Sequence, residues 1–152
     1  MKLEIQLLGK FQIACKGKKI PEKAWEKRKA KMLVQILILS PSFQISREEL
    51  AEILFPQTEK PAANLSRILY IARKTFADNL DRDLVRHLFI SHQGIIHLCS
   101  DFIEIQTDVN EFKGLAKNAL RIGSYQDLEK ATEFYQNDLL PDMQYEQWFS
   151  RH

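Results

Sequence analysis

The stretch PAANLSRILYIARKTFADNL, Pro61 to Leu80, limits most tightly what this chain can fold into. Leu65, Ile68, Leu69, Ala72 and Phe76 recur at steps of three and four residues. On a helix turning about 100° per residue they form one stripe, which a core must cover. The opposite side gathers Ala63, Asn64, Ser66, Arg67, Tyr70, Ile71 and Lys74, with no acidic residue among them. A face that is merely solvated normally mixes both signs of charge. Asn, Ser and Arg pair with base edges, Ile meets a thymine methyl, and Tyr and Lys reach phosphates, so this side has the inventory of a helix lying in a DNA major groove. An ordinary surface helix shares the period, and the neighbouring segments decide between the two readings.

Before this helix, Ile45-Ser46-Arg47-Glu48-Glu49-Leu50 reads as a helix start. Ser46 and Glu49 have capping-box spacing, and Ile45 and Leu50 are placed to form a hydrophobic staple. Leu50, Ile53 and Leu54 make the short helix amphipathic, Phe55-Pro56 ends it, and Gln57 to Lys60 form a polar turn. Two helices joined by a short turn, the second bearing the polar and basic face, make a helix-turn-helix. After Leu80 the charged run DRDLVRH leads to Leu88–Ser91 and Ile95–Cys99, joined through His92-Gln93-Gly94, where Gly94 supplies the positive φ of a tight hairpin. A hairpin in this place is a wing, and His92 and Gln93 at its tip are candidates for contact with the DNA backbone or minor groove.

At the N-terminus, Leu3–Leu8 and Phe11–Cys15 alternate around Gly9-Lys10, with Lys18–Ile20 as a possible third strand of a small antiparallel sheet. A helix is expected from about Lys23, almost wholly apolar in MLVQILIL and stopped by Ser40-Pro41. Its start carries Lys27, Arg28, Lys29 and Lys31. Cations there oppose the positive end of the helix dipole, an arrangement that an incoming phosphate reverses, while Glu22 and Glu26 offer internal compensation. Lys27, Arg28 and Lys29 are therefore phosphate candidates. Arg47 and Lys60 join them, although an exposed cation is by default simply solvated.

From Asp101 the character changes. DFIEIQTD reads as a connecting strand, and Val109 to Ile122 places Val109, Phe112, Leu115, Ala116, Ala119, Leu120 and Ile122 on a helical stripe that Gly123 stops. A second helix follows from about Ser124 to Tyr135, and another opens at Tyr145, anchored by Trp148. The helix pair resembles a tetratricopeptide-like unit. Such arrays need about three repeats to bury a continuous core, so the chain is expected to be the front of a longer protein. The expected fold class is α+β: a winged helix-turn-helix with an N-terminal antiparallel sheet and a C-terminal hairpin wing over residues 1–104, then a helical tetratricopeptide-like segment over 105–152.

Charge supports this division. Residues 1 to 100 carry 17 Lys and Arg against 10 Asp and Glu, whereas residues 101 to 152 carry 5 against 10, so the first part suits a polyanion and the second does not. No uncharged apolar run reaches the ~18 residues of a membrane span, and the N-terminus lacks a signal-peptide core, so the expected location is the cytoplasm, away from membranes. Cys15 and Cys99 show no C-x-x-C spacing and are expected to be plain thiols.

LLGKFQIACKGKKI, the Trp25–Leu33 motif W-x-x-R-K-A-K-x-L, ISREELAEILFP, NLSRILYIARKTF and the Gln93-Gly94 hairpin together resemble the OmpR/PhoB-type winged-helix domain of antibiotic-regulator transcription factors. TDVNEFKGLAKNAL and the residues after it are similar to the bacterial transcriptional activator domain that follows in that family. The resemblance covers essentially the whole chain in order. It implies a cytoplasmic transcriptional regulator whose long third helix enters the major groove of double-stranded DNA, usually at direct repeats. It also implies that the preceding loop and the helical domain meet RNA polymerase or position a second protomer. On these matching positions Arg67, Arg73 and Lys74 stand where the family is basic or polar, and Trp25, Arg28 and Lys29 on the motif opening the first helix. Tyr70 and Ile71 stand where a small polar residue and an Arg are commoner.

An enzyme is the first rival. His87, His92, His97 and Cys99 cluster around one hairpin, but odd spacing along a strand turns side chains to opposite faces, so no metal site is expected. No nucleophile elbow, P-loop or dinucleotide glycine motif is present, and no cofactor is expected. The second rival is a winged helix used only for protein contacts, which Ile71 on the outer face would suit.

Overall fold

The computed structural model describes residues 1–99, 101–123, 126, 129, 139 and 140, the side chains of Ala119 and Ile122 excepted. Of the helix expected over 124–135 only Gln126 and Glu129 are described, both helical, and the one opening at Tyr145 lies outside the described residues. In chain order the elements are β1 (Lys2–Gln6), β2 (Gln12–Cys15), β3 (Lys18–Lys19), α1 (Arg28–Leu39), β4 (Gln44–Ser46), α2 (Arg47–Leu54), α3 (Pro61–Asn79), β5 (Leu88–His92), β6 (Ile95–Cys99), β7 (Glu104–Thr107) and α4 (Asp108–Ile122). The architecture is α+β, a winged helix-turn-helix with a β-rich N-terminus. The chain divides into two compact units: Met1 with Lys16–Ile103, and Lys2–Cys15 with Glu104–His152.

In the first unit α1 packs on both α2 and α3. Ala30, Leu33, Val34, Ile36, Leu37 and Ile38 are buried, as the continuous apolar run requires. The helix begins at Arg28 and not near Lys23. Glu22–Ala24 form a short 3-10 turn and Trp25 is extended, its ring edge-on to Phe76 at 6.3 Å between centroids. Seating Trp25 on α3 takes the chain out of the helical path, and the local periodicity does not record that demand. The Lys31 ammonium reaches back to Glu22 at 2.7 Å, tying the turn to the helix.

α2 starts as its capping spacing requires, with the Glu49 N–H donating to the Ser46 hydroxyl at 3.0 Å. Leu50, Ala51 and Leu54 form its buried side. In α3 the stripe of Leu65, Ile68, Leu69, Ala72 and Phe76 is buried, together with Thr75, whose hydroxyl is satisfied by the Ile71 carbonyl at 2.8 Å.

The wing is a three-stranded antiparallel sheet in the order β4-β6-β5. β4, the segment immediately before α2, is the strand that the sequence reading lacked. It pairs Gln44 with His97, Ile45 with Ile96 and Ser46 with Ile95.

In the second unit β1 pairs antiparallel with β2 and parallel with β7. Residues 104–107 thus enter a sheet instead of merely connecting, and this pairing groups the N-terminal hairpin with the segment after Ile103, whereas a division at residue 104 kept it with the helix-turn-helix. The Asp108 carboxylate accepts from the N–H groups of Leu7 and Leu8 at 2.8 and 3.0 Å. Thr107 caps α4 through the Asn110 N–H at 3.0 Å, and Gly123 at φ 67° ends it. Leu120 lies on the expected stripe but is 76% exposed. Periodicity assigns a face, but burial also needs a neighbour, and the described strands packed on α4 are β1 and β7.

Candidate nucleic-acid interface

With its apolar stripe against the core, α3 presents Ala62, Ala63, Ser66, Arg67, Tyr70, Lys74 and, in its last turn, Asp78 as exposed residues. Arg67, Tyr70 and Lys74 are spaced three and four apart and so form a row on adjacent turns. Tyr70 is 65% exposed, uncommon for an aromatic ring without a partner surface. Arg67 and Lys74 make no hydrogen bond or ion pair among the described residues. Asn64 and Ile71 are half-buried at the edges of this row.

The N-terminus of α3 is open. Its N-cap, the exposed Lys60, makes no side-chain capping bond, Pro61 occupies the first turn and no acidic residue lies there. Backbone donors and the positive end of the helix dipole therefore point outward beside a cation, as an anion-binding terminus requires.

The wing tip is a two-residue reversal in which Gln93 and Gly94 have φ of 50° and 77°, the signs demanded by a type I′ turn. His92 and Gln93 are exposed there. The Arg47 N–H donates to the Gly94 carbonyl at 2.8 Å, joining the tip to the start of α2, while the Arg47 guanidinium donates to the Ser66 hydroxyl. Ser66 in turn donates to the Ala62 carbonyl at 3.2 Å. Arg47 and Ser66, read in sequence as separate contacts, are thus bonded to each other.

Arg73 turns away from the outer row. Half-buried, it donates to the Phe89 carbonyl at 2.7 Å, and burial first, then the positive charge of Arg47, hold its pKa below the ordinary value. The cations of α1 also separate. Lys27 is the exposed N-cap and Arg28 is exposed, but the Lys29 ammonium donates to the Leu54 carbonyl and sits 4.6 Å from the centroid of the Phe55 ring. Lys29 therefore lies at the end of α2 opposite Arg47, about 10 Å away along the helix axis at ~1.5 Å per residue.

Among solved structures the chain is similar to EmbR of Mycobacterium tuberculosis, determined in complex with a low-affinity phosphopeptide. The likeness has a TM-score of 0.73 over 98% of this chain and 40% of that one, at 17% sequence identity. It shows a shared fold. The chain spans well under half the length of EmbR. No protein-family model matches, and no curated protein does either.

The histidines need a correction. His92 pairs with Ile95, two residues before His97, so a hairpin lies between the two histidines and brings both to one face of the sheet. Odd spacing separates faces along a single strand but not across a two-residue turn. No group of three or more His, Cys, Asp or Glu able to hold a metal occurs among the described residues. Neither the β4 strand nor the Arg73 bond was found from sequence; the alternation in Gln44-Ile45-Ser46 was a usable signal for the first.

Proposed function

We propose that this protein binds double-stranded DNA sequence-specifically as a bacterial transcriptional regulator, with α3 in the major groove and the wing tip beside it. The observation that carries the reading is the exposed Arg67, Tyr70 and Lys74 row on a helix whose other side is core, with Asp78 in the last turn as its one acidic residue. Arg67 and the edge residues Asn64 and Ile71 read bases, Tyr70 and Lys74 reach phosphates, and Lys60, Lys27 and Arg28 add backbone contacts. Ser66 and Arg47 act as one bonded pair at the groove edge, and His92 and Gln93 contact from the wing. Arg73 serves the protein's own geometry. Lys29 is committed first to α2.

By the same reading the protein works in the cytoplasm at direct repeats, pairs with a second protomer on DNA, meets RNA polymerase, and performs no catalysis. No helix among the described residues is long and apolar enough to cross a membrane. The rival reading is a protein-contact module, and it draws on Ile90 and Ile95, which are 37% and 39% exposed on the wing.

Selection of bound duplexes from a random pool, followed by titration against salt, separates the two. DNA binding gives an enriched site and an affinity falling with a log-log slope of about −0.9 per phosphate contacted. Absence of duplex binding at low salt ends the proposal.

A further inference from the structure

Phe89 does not follow the regular backbone of β5. Its φ is 55°, in the left-handed region where a bulky side chain is strained. Its ring is nevertheless 1% exposed and meets Phe76 of α3 edge-on at 5.5 Å between centroids. The β5–β6 register passes from Leu88 opposite Cys99 to Ile90 opposite His97, with Phe89 left out of the ladder. Its carbonyl accepts from Arg73 at 2.7 Å. Backbone strain of this kind persists only where the surroundings over-determine it. Two residues of α3, three apart and so on neighbouring positions, do that here: Phe76 holds the ring and Arg73 holds the carbonyl.

Arg73 is constrained in return. A half-buried guanidinium near a second cation is costly unless an acceptor meets it, and among the described residues that acceptor is the Phe89 carbonyl. At the far end of the same hairpin the Arg47 N–H holds the Gly94 carbonyl at 2.8 Å. The wing is therefore fastened to the helix pair at its base and at its tip.

We propose that Arg73 is a positioning residue, which holds the left-handed link at Phe89 and so fixes the angle at which the wing leaves α3, without touching DNA. The effect on binding rests on the DNA reading above, but the positioning itself does not. A wing set at one angle delivers His92 and Gln93 at a constant distance from the α3 row, which a groove of fixed width requires.

Hydrogen exchange on the DNA-free full chain tests the positioning. In Arg73→Met the amides of β5 and β6 are expected to exchange about tenfold faster while those of α1 keep their rates. Arg73→Lys, which keeps a donor on a long stem, is expected to recover most of the protection. Unchanged wing exchange in Arg73→Met, acceleration spread evenly over α1 and α3, or Arg73→Lys exchanging as fast as Arg73→Met would each overturn the proposal.

A double-mutant cycle on a duplex selected by the wild-type protein tests the consequence. The combined change His92→Ala and Gln93→Ala should weaken binding in the wild-type background and add nothing further in Arg73→Met. Fully additive losses would place Arg73 on the DNA and overturn the proposal. A protein that binds no duplex would end the DNA reading, and the exchange result would then decide the positioning alone.

Discussion

The ammonium of Lys29 donates to the carbonyl of Leu54, the last residue of α2, from a position over the ring of Phe55. The final carbonyls of a helix lack intrahelical donors and carry the negative end of its dipole, so a cation fits there. Lys29→Met keeps the stem but loses the charge. The expected cost is about 1–2 kcal/mol of stability by urea denaturation, the size of one charge-assisted hydrogen bond with a cation–π contribution. The salt slope of duplex binding should stay unchanged. Wild-type stability together with a slope reduced by about one would assign Lys29 to phosphate.

Arg67 has no bonded partner among the described residues and stands at the N-terminal end of the outer row of α3. Arg67→Ala is expected to weaken binding to the selected duplex by about 1–3 kcal/mol and to relax base choice at one position. Lys74→Ala should weaken selected and random duplexes alike and lower the salt slope by about one. Gel shifts on both duplexes at several salt concentrations measure this. A uniform loss for Arg67→Ala would move that residue from bases to phosphate.

The wing turn is strained at Gln93, whose φ of 50° an unbranched side chain adopts at a cost, whereas Asn adopts it readily. Gln93→Asn is therefore expected to raise the thermal midpoint, by a gain of up to about 1 kcal/mol at the Asn-Gly pair that type I′ turns favour. Gly94→Ala should cost about 1 kcal/mol through backbone strain alone, because an added Cβ meets nothing within 4 Å at φ 77°. Calorimetry of both variants checks the pair, and a lower midpoint for Gln93→Asn would show that the Gln93 side chain has a stabilising contact of its own.

The sequence carried the elements whose information is local. Ser46 and Glu49 announced the α2 cap, the three-and-four spacing from Leu65 to Phe76 announced the buried side of α3, and Gly94 announced the wing turn. Elements that depend on a distant partner were not legible. The Lys23–Lys27 stretch has helical periodicity, yet Trp25 leaves it to meet Phe76, 51 positions later. Glu104–Thr107 alternates like any short strand, and nothing in it says that it lies parallel to β1. In the candidate site the exposed row could be read from period and charge. Arg73 could not be told from its basic neighbours, because a turn of the helix directs it to Phe89 and no composition rule reports that direction.

Cys99 provides the last prediction, and it is a pH effect. Its thiol is buried and donates to the Ile103 carbonyl at 3.5 Å, and burial first, then the negative charge of Asp101, raise its pKa from the ordinary 9.0. The folded chain therefore keeps a proton that the unfolded chain gives up. The resulting stability is fully present below the unfolded value and is lost as pH rises through the folded one, so the loss begins near pH 9.0 and extends above it. Urea midpoints from neutral pH to about 10.5 should show this loss in the wild type. Cys99→Ala should start lower, because it opens a small cavity, and then remain flatter over the same range. Asp101→Asn removes the second cause and should narrow the window from its upper end. If wild type and Cys99→Ala lose stability in parallel above pH 9.0, the thiol is not the titrating group, and a different buried acid must account for the alkaline limb.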